Sequence, residues 1–262
     1  MQYYIKGKYY SLDRREKSMG IILNIQLSAF INHRIEPNAN NISNLMNELN
    51  LLKLKEFLPN ITTGQTIDLV KGRIDTISNL AFVTADKSGQ IICQDERIDC
   101  IFNFNQDDKC DFESELQKLE KILLLIMSEY KIVSNRFALN INLLSEPYLG
   151  ELQNTIFGKS VVSSLKFYDN REFKEWSMRE NSWYPITISN EEDTLNVITE
   201  LSMVTNDQQN EKRILCHMDI NTIPENSGYR FNTDSLNDFV IETGAIAKEI
   251  KANFEELSNN VE

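Results

Sequence analysis

The chain has 262 residues, with 27 Lys and Arg against 39 Asp and Glu, a formal charge of -12. Hydrophobic residues at 41% and charged residues at 25% are ordinary for a globular chain long enough to bury a sizeable core, so wholesale disorder is not expected. The acid excess repels polyphosphate backbones and disfavours nucleic acid as a partner.

The N-terminal segment carries a basic run, Lys6, Lys8, Arg14, Arg15 and Lys17, interrupted by Asp13 and Glu16, which reads as solvated. It lacks the continuous apolar stretch of a secretion leader, and no later run approaches the roughly 18 to 20 apolar residues of a membrane span. A cytoplasmic protein without membrane contact is the expectation. Tyr3, Tyr4, Tyr9 and Tyr10 suit a short edge hairpin.

From Ile21 to Ile31 the residues Ile21, Leu23, Ile25, Leu27, Ala29 and Ile31 alternate with Ile22, Asn24, Gln26, Ser28 and Phe30, a period of two that predicts a half-buried strand. Ile42, Leu45, Met46, Leu49 and Leu52 recur at helical spacing over about Asn41 to Glu56, with Asn40 or Asn41 as N-cap and Pro59 just past the end. Extended structure resumes near Thr66 to Val70 and runs through Leu80 to Ala85. Asp86-Lys87-Ser88-Gly89 reads as a hairpin turn with Gly89 taking positive φ, followed by strands over Gln90 to Asp95 and Arg97 to Asn105.

Phe112, Leu116, Leu119, Leu123, Ile126, Met127 and Tyr130 form the broad stripe of a helix from about Asp111 to Tyr130. A strand after Ser134 places Phe137, Leu139, Ile141 and Leu143 inward and Ala138, Asn140 and Asn142 outward. Leu149 to Phe157 suits a short helix and Ser160 to Tyr168 a strand, while residues 170 to 190 are irregular. Strands over Leu195 to Thr205 and Arg213 to Asn221 precede a closing helix from about Thr233 to Leu257. A hairpin followed by a helix thus occurs twice. These elements predict an α+β fold of largely antiparallel sheets with long amphipathic helices on one face, arranged as two related α+β layers. The division expected is an N-terminal domain over 1–146 and a C-terminal domain over 147–262, with a single domain as the alternative.

The segments FVTADKSGQIICQDERIDCIFNF, FESELQKLEKILLLIMSEY, RFALNINLL and ILCHMDI, followed by the closing helix, resemble a sporadically distributed family of uncharacterised prokaryotic α+β proteins. The resemblance covers roughly residues 80 to 257 and rests on Thr84, Asp86 and Gln90 in a hairpin and on Arg136, Asn140 and Asn142 in a strand. RFALNIN departs from the family's usual aromatic just before its asparagine. The resemblance implies no catalytic residues, and through the family's scattered distribution it implies an accessory role in a defence or conflict system.

Signatures of chemistry are sparse. Cys93, Cys100, Cys110 and Cys216 include no C-x-x-C pair, so they read as reduced thiols, with Cys93, Cys100 and Cys216 as small buried hydrophobes. The two histidines, His33 and His217, belong to no H-x-H or H-E-x-x-H pattern, and no phosphate-binding glycine loop or G-x-S-x-G is present. No cofactor or metal is predicted. Asp95, Glu96 and Asp99 read as a solvated acidic turn, and His217 and Asp219 as the polar side of a strand.

Aromatics collect at Phe167, Tyr168, Phe173, Trp176, Trp183 and Tyr184, interleaved with Arg171, Lys174 and Arg179 but nearly neutralised by Glu172, Glu175 and Glu180. Core packing explains such a cluster first. A protein interface comes second, with Phe173, Trp176, Arg179, Trp183 and Tyr184 as the candidate contacts. The expected function is a non-catalytic protein-binding or assembly subunit, through a protein partner or self-association. Its alternatives are a metal-dependent hydrolase built from Asp95, Asp99, His217 and Asp219, and an acidic decoy for a basic nucleic-acid-binding protein.

Overall fold

The computed structural model describes residues 20–54, 56–68, 72–147, 175–206, 211–225 and 227–259. In chain order the elements are β1 (Ile21–Ile31), α1 (Ala39–Leu52), β2 (Phe57–Asp68), β3 (Arg73–Thr84), β4 (Gly89–Cys93) and β5 (Arg97–Asn103). They continue with α2 (Phe112–Glu129), β6 (Ser134–Leu144), β7 (Ser177–Ile188), β8 (Glu191–Asn206), β9 (Glu211–Thr222) and α3 (Thr233–Asn259). The expected Tyr3 to Tyr10 hairpin, the helix at Leu149 to Phe157 and the strand at Ser160 to Tyr168 lie outside the described residues.

All nine strands join one antiparallel sheet in the order β2-β3-β4-β5-β1-β6-β9-β8-β7. The fold is α+β, but its strands make one sheet where two related layers were expected. β6 pairs with β1 on one side and β9 on the other, so the sheet runs unbroken between residues 1–146 and 147–262. The strand order is nevertheless palindromic in connectivity. In each half a first strand (β1 or β6) is joined by a meander whose last strand (β5 or β9) lies beside it, and a helix (α2 or α3) follows. Among the described residues β2 is the one extra strand.

One face of the sheet builds the core. Leu27 of β1 lies opposite Cys100 of β5 and Leu139 of β6, and Ile25 lies opposite Phe102 and Ile141. Ile220 and Met218 of β9 extend these two rows, and Cys216 lies opposite Leu143 in the next. All of these are at most 1% exposed. α2 packs on β1 and β5 through Leu119, Ile122, Leu123 and Ile126, α3 packs on β6, β7 and β9, and α1 contacts β2 and α2. Phe137 of β6 stacks on Phe231 at 5.2 Å and meets Phe239 of α3 at 5.4 Å.

Local chemistry sets the element ends. α1 is capped by Asn38, whose side chain accepts from the Asn41 amide at 2.9 Å, so the cap lies two or three residues earlier than the spacing suggests. The helix stops at Leu52 because Lys53 turns left-handed at φ 51. At the β3–β4 turn Lys87, not Gly89, takes the positive φ of 61, and Asp86 holds the turn by accepting from the Ser88 amide and the Thr84 hydroxyl. Ser189 and Asn190 are both left-handed, at φ 52 and 65, which suits a two-residue hairpin between β7 and β8. Pro59 and Pro185, the two strand prolines of the described chain, fall on the outermost strands β2 and β7, where a missing amide costs no ladder bond.

Candidate functional site

The second face of the central strands is polar, because the residues between the core positions are short hydrogen-bonding ones. Asn24, Gln26 and Ser28 of β1 lie opposite Asn142, Asn140 and Ala138 of β6, and these lie opposite His217, Asp219 and Asn221 of β9. Together with Arg97 and Asn103 of β5 and Gln90 of β4 they line a trough of about 500 Å³. Gln90, Arg136, Asn140 and Asn142, four of the six residues on which the family resemblance rests, meet in it.

The polar groups are tied to one another. Asp99 is 2% exposed, so the acidic turn expected there is in part a buried carboxylate. Its Oδ1 accepts from the Ser28 hydroxyl at 2.6 Å and the Gln26 amide at 3.0 Å. Its Oδ2 accepts from the Gln94 amide at 2.9 Å and from Arg97 through Nε and Nη2, both at 3.0 Å. This full set of donors is what makes burial of the charge tolerable. Across the sheet, the Asn142 amide donates to Asn24 Oδ1 at 2.9 Å, and Asn142 Oδ1 lies 2.9 Å from His217 Nδ1. With the Asn142 amide nitrogen committed to Asn24, its Oδ1 accepts from His217 Nδ1. Asp219 accepts from the Asn221 amide at 3.0 Å.

Two guanidinium groups flank Phe30. Arg136 lies over the ring with Cζ 3.6 Å from the centroid, and Arg97 sits at 5.8 Å. Arg97 is spoken for by Asp99. The Arg136 guanidinium has no hydrogen-bond or ion-pair partner among the described residues, and its Nε is buried without an acceptor. Burial holds its pKa below the ordinary arginine value, an effect opposed by Asp219 and reinforced by Arg97.

The thiols are poorly suited to nucleophilic chemistry. Burial pushes Cys93 and Cys216 up to about 12, with Asp99 adding to the effect at Cys93. Burial also raises Cys100 well above its ordinary value, and partly buried Cys110 reaches about 12. The acidic residues proposed for metal chemistry are spread apart. Asp99 on β5 and Asp219 on β9 are three strand spacings distant, roughly 14 Å, and Asp95 pairs with Arg34 at 3.0 Å outside the trough. Among the described residues no group of three or more His, Cys, Asp or Glu could hold a metal ion.

The predicted interface residues separate. Trp176 packs against the core, and its carbonyl accepts from the Met203 amide at 3.1 Å. Trp183 is 68% and Tyr184 48% exposed on β7. Trp183 pairs with Asn196, which pairs with Asn221, so Trp183 and Arg179 share the trough side of the sheet while Tyr184 faces the helix side. Phe167, Tyr168 and Phe173 lie outside the described residues. The trough as a unit escaped sequence reasoning. Its polar positions are visible one strand at a time, but their convergence depends on the strand order. No helix among the described residues is long and apolar enough to cross a membrane. No protein-family model matches the chain and no curated protein matches it.

Proposed function

We propose that the chain is a non-catalytic protein-binding subunit of a prokaryotic complex, working in the cytoplasm and docking through the β7–β8 flank with Trp183 as its anchor. The observation that carries this is the 68% exposure of a tryptophan in the middle of a regular strand, on the same side as Arg179 and the polar trough. An exposed Trp with an Arg on the same side of the strand, roughly 13 Å further along it, is the composition of an interaction hot spot. Pro185 two residues on disfavours continuous addition of a partner strand to β7, so the partner is gripped by side chains. Raised thiols and fully engaged Asp99 support binding over catalysis. An accessory role in a defence system is the setting that the family resemblance suggests.

The test is a photo-cross-linking residue placed at Asn181, an exposed position on the same side of β7 as Trp183, or, as a control, at Tyr229, which is 51% exposed. In the host cell, position 181 is expected to give one discrete protein adduct that Tyr229 does not, and Trp183→Ala is expected to release that partner with the fold intact. Equal labelling from both positions, or a complex that survives Trp183→Ala, would sink the reading. Trp176→Ala is no substitute, since removal of that core-packed ring is expected to destabilise the fold.

A further inference from the structure

We propose that Arg136 is the anchor of a carboxylate-binding site in the sheet trough. Three observations carry this, independently of the β7 reading. The guanidinium is held in place by an aromatic face instead of an acid, 3.6 Å above Phe30, which fixes its plane while leaving its N–H edge uncommitted. Its Nε is buried with no acceptor, whereas its terminal Nη nitrogens are neither buried nor bonded among the described residues and are the edge a ligand oxygen can reach. The next residue on the same side of β6 is Ala138, whose methyl group forms the floor beside the cation and leaves room above it.

The chemistry of the neighbours selects the ligand. Arg97, the other cation of the trough, is neutralised by Asp99, so a single positive charge is on offer. Asp219 acts on Arg136 electrostatically without forming an ion pair, and it repels a second negative charge on the ligand. A planar monoanion that accepts two parallel N–H bonds fits this arrangement, whereas a phosphate dianion is disfavoured. The amides of Asn221 and Asn140 lie further along the trough for a polar body attached to the carboxylate.

The Arg136 Nε–Hε resonance of 15N-labelled protein, identified by its absence in Arg136→Lys, reports on the site directly. Acetate, N-acetylglutamine, a short peptide with a free C-terminal carboxylate, the same peptide amidated, and inorganic phosphate are titrated to about 10 mM, enough to saturate a Kd near 1 mM. The carboxylates are expected to move the resonance saturably, the amidated peptide to leave it in place, and phosphate to act more weakly. Tightest binding by the peptide acid assigns the carboxylate to a chain terminus, and tightest binding by N-acetylglutamine assigns it to a free acid. Followed by the Tm rise on adding the carboxylate, Arg136→Lys keeps the charge over Phe30 but loses the fork and is expected to weaken binding about tenfold. Arg136→Gln is expected to abolish it, with circular dichroism confirming that each variant is folded. An unmoved resonance in the wild type, phosphate binding more tightly than any carboxylate, or unchanged affinity in Arg136→Lys would overturn the proposal.

Discussion

Asp99 concentrates the energetics of the trough in one side chain. Asp99→Asn replaces an acceptor-only group with one that turns an N–H₂ toward existing donors and removes the counter-charge of Arg97. Because Arg97 is 38% exposed and keeps some water, the cost belongs at the lower end for a broken buried pair, about 3 kcal/mol, read from urea unfolding. The cysteines give a pH dependence whose sign follows from burial. Cys93 and Cys216 rise from the ordinary 9.0 to about 12 on folding. Above pH 9 the unfolded chain therefore releases thiol protons that the folded chain retains, so stability falls as pH rises and the contribution is gone once pH passes about 12. From about pH 8 to about pH 10 each buried thiol is expected to remove about 1.4 kcal/mol. Urea midpoints of wild type and Cys93→Ala/Cys216→Ala across that range should show the variant starting lower but falling less steeply. Equal slopes would show that these thiols are not the source.

At the level of elements, the helices meet where a side chain is missing. A Cβ on Gly244 of α3 would come within 3.3 Å of Leu116 Cδ2 on α2, so the glycine sets how closely the two helices approach. Gly244→Ala trades a tight contact against better helix propensity and should be near neutral. Gly244→Val drives a branched side chain into α2 and is expected to cost about 1 to 3 kcal/mol, seen as a lower Tm. Elements also differ in how much of themselves they write into the chain. β1 is legible over its span, Ile21–Ile31, by its alternation, although a bulge between Ile22 and Asn24 buries Ile22 where Ile21 and Leu23 were expected inward, and Ser28 of the polar side is buried too. β7 gives no such alternation, since most of SMRENSWYPITI is exposed on both sides and its strand state comes from the ladder to β8. β2 was hidden for a related reason: Pro59 reads as a helix stop, yet on an outermost strand a proline is permitted.

For the molecule as a whole, one sheet and one core cluster imply one unfolding event. Tryptophan fluorescence and far-UV circular dichroism should trace a single coincident urea transition, and two separated transitions would show independent domains. The trough was out of reach of sequence reasoning at this scale. Asn24, Asn142 and His217 are far apart in the chain, and nothing in their local patterns says that β6 lies between β1 and β9. Arg136 was noticed only for its place in a strand, since its lack of an acid partner is a property of the assembled sheet. The palindromic strand order carries one more consequence. Cut at the β1–β6 seam, each half would expose a full-length central strand whose natural mate is built on the same plan. The chain is organised like a homodimer whose two protomers have been spliced into one polypeptide. Unlike a symmetric dimer, which would repeat any residue on both sides of its seam, this single chain gathers both guanidinium groups of the trough around Phe30 at one end of the β1–β6 seam, Arg97 tied to its own acid and Arg136 open.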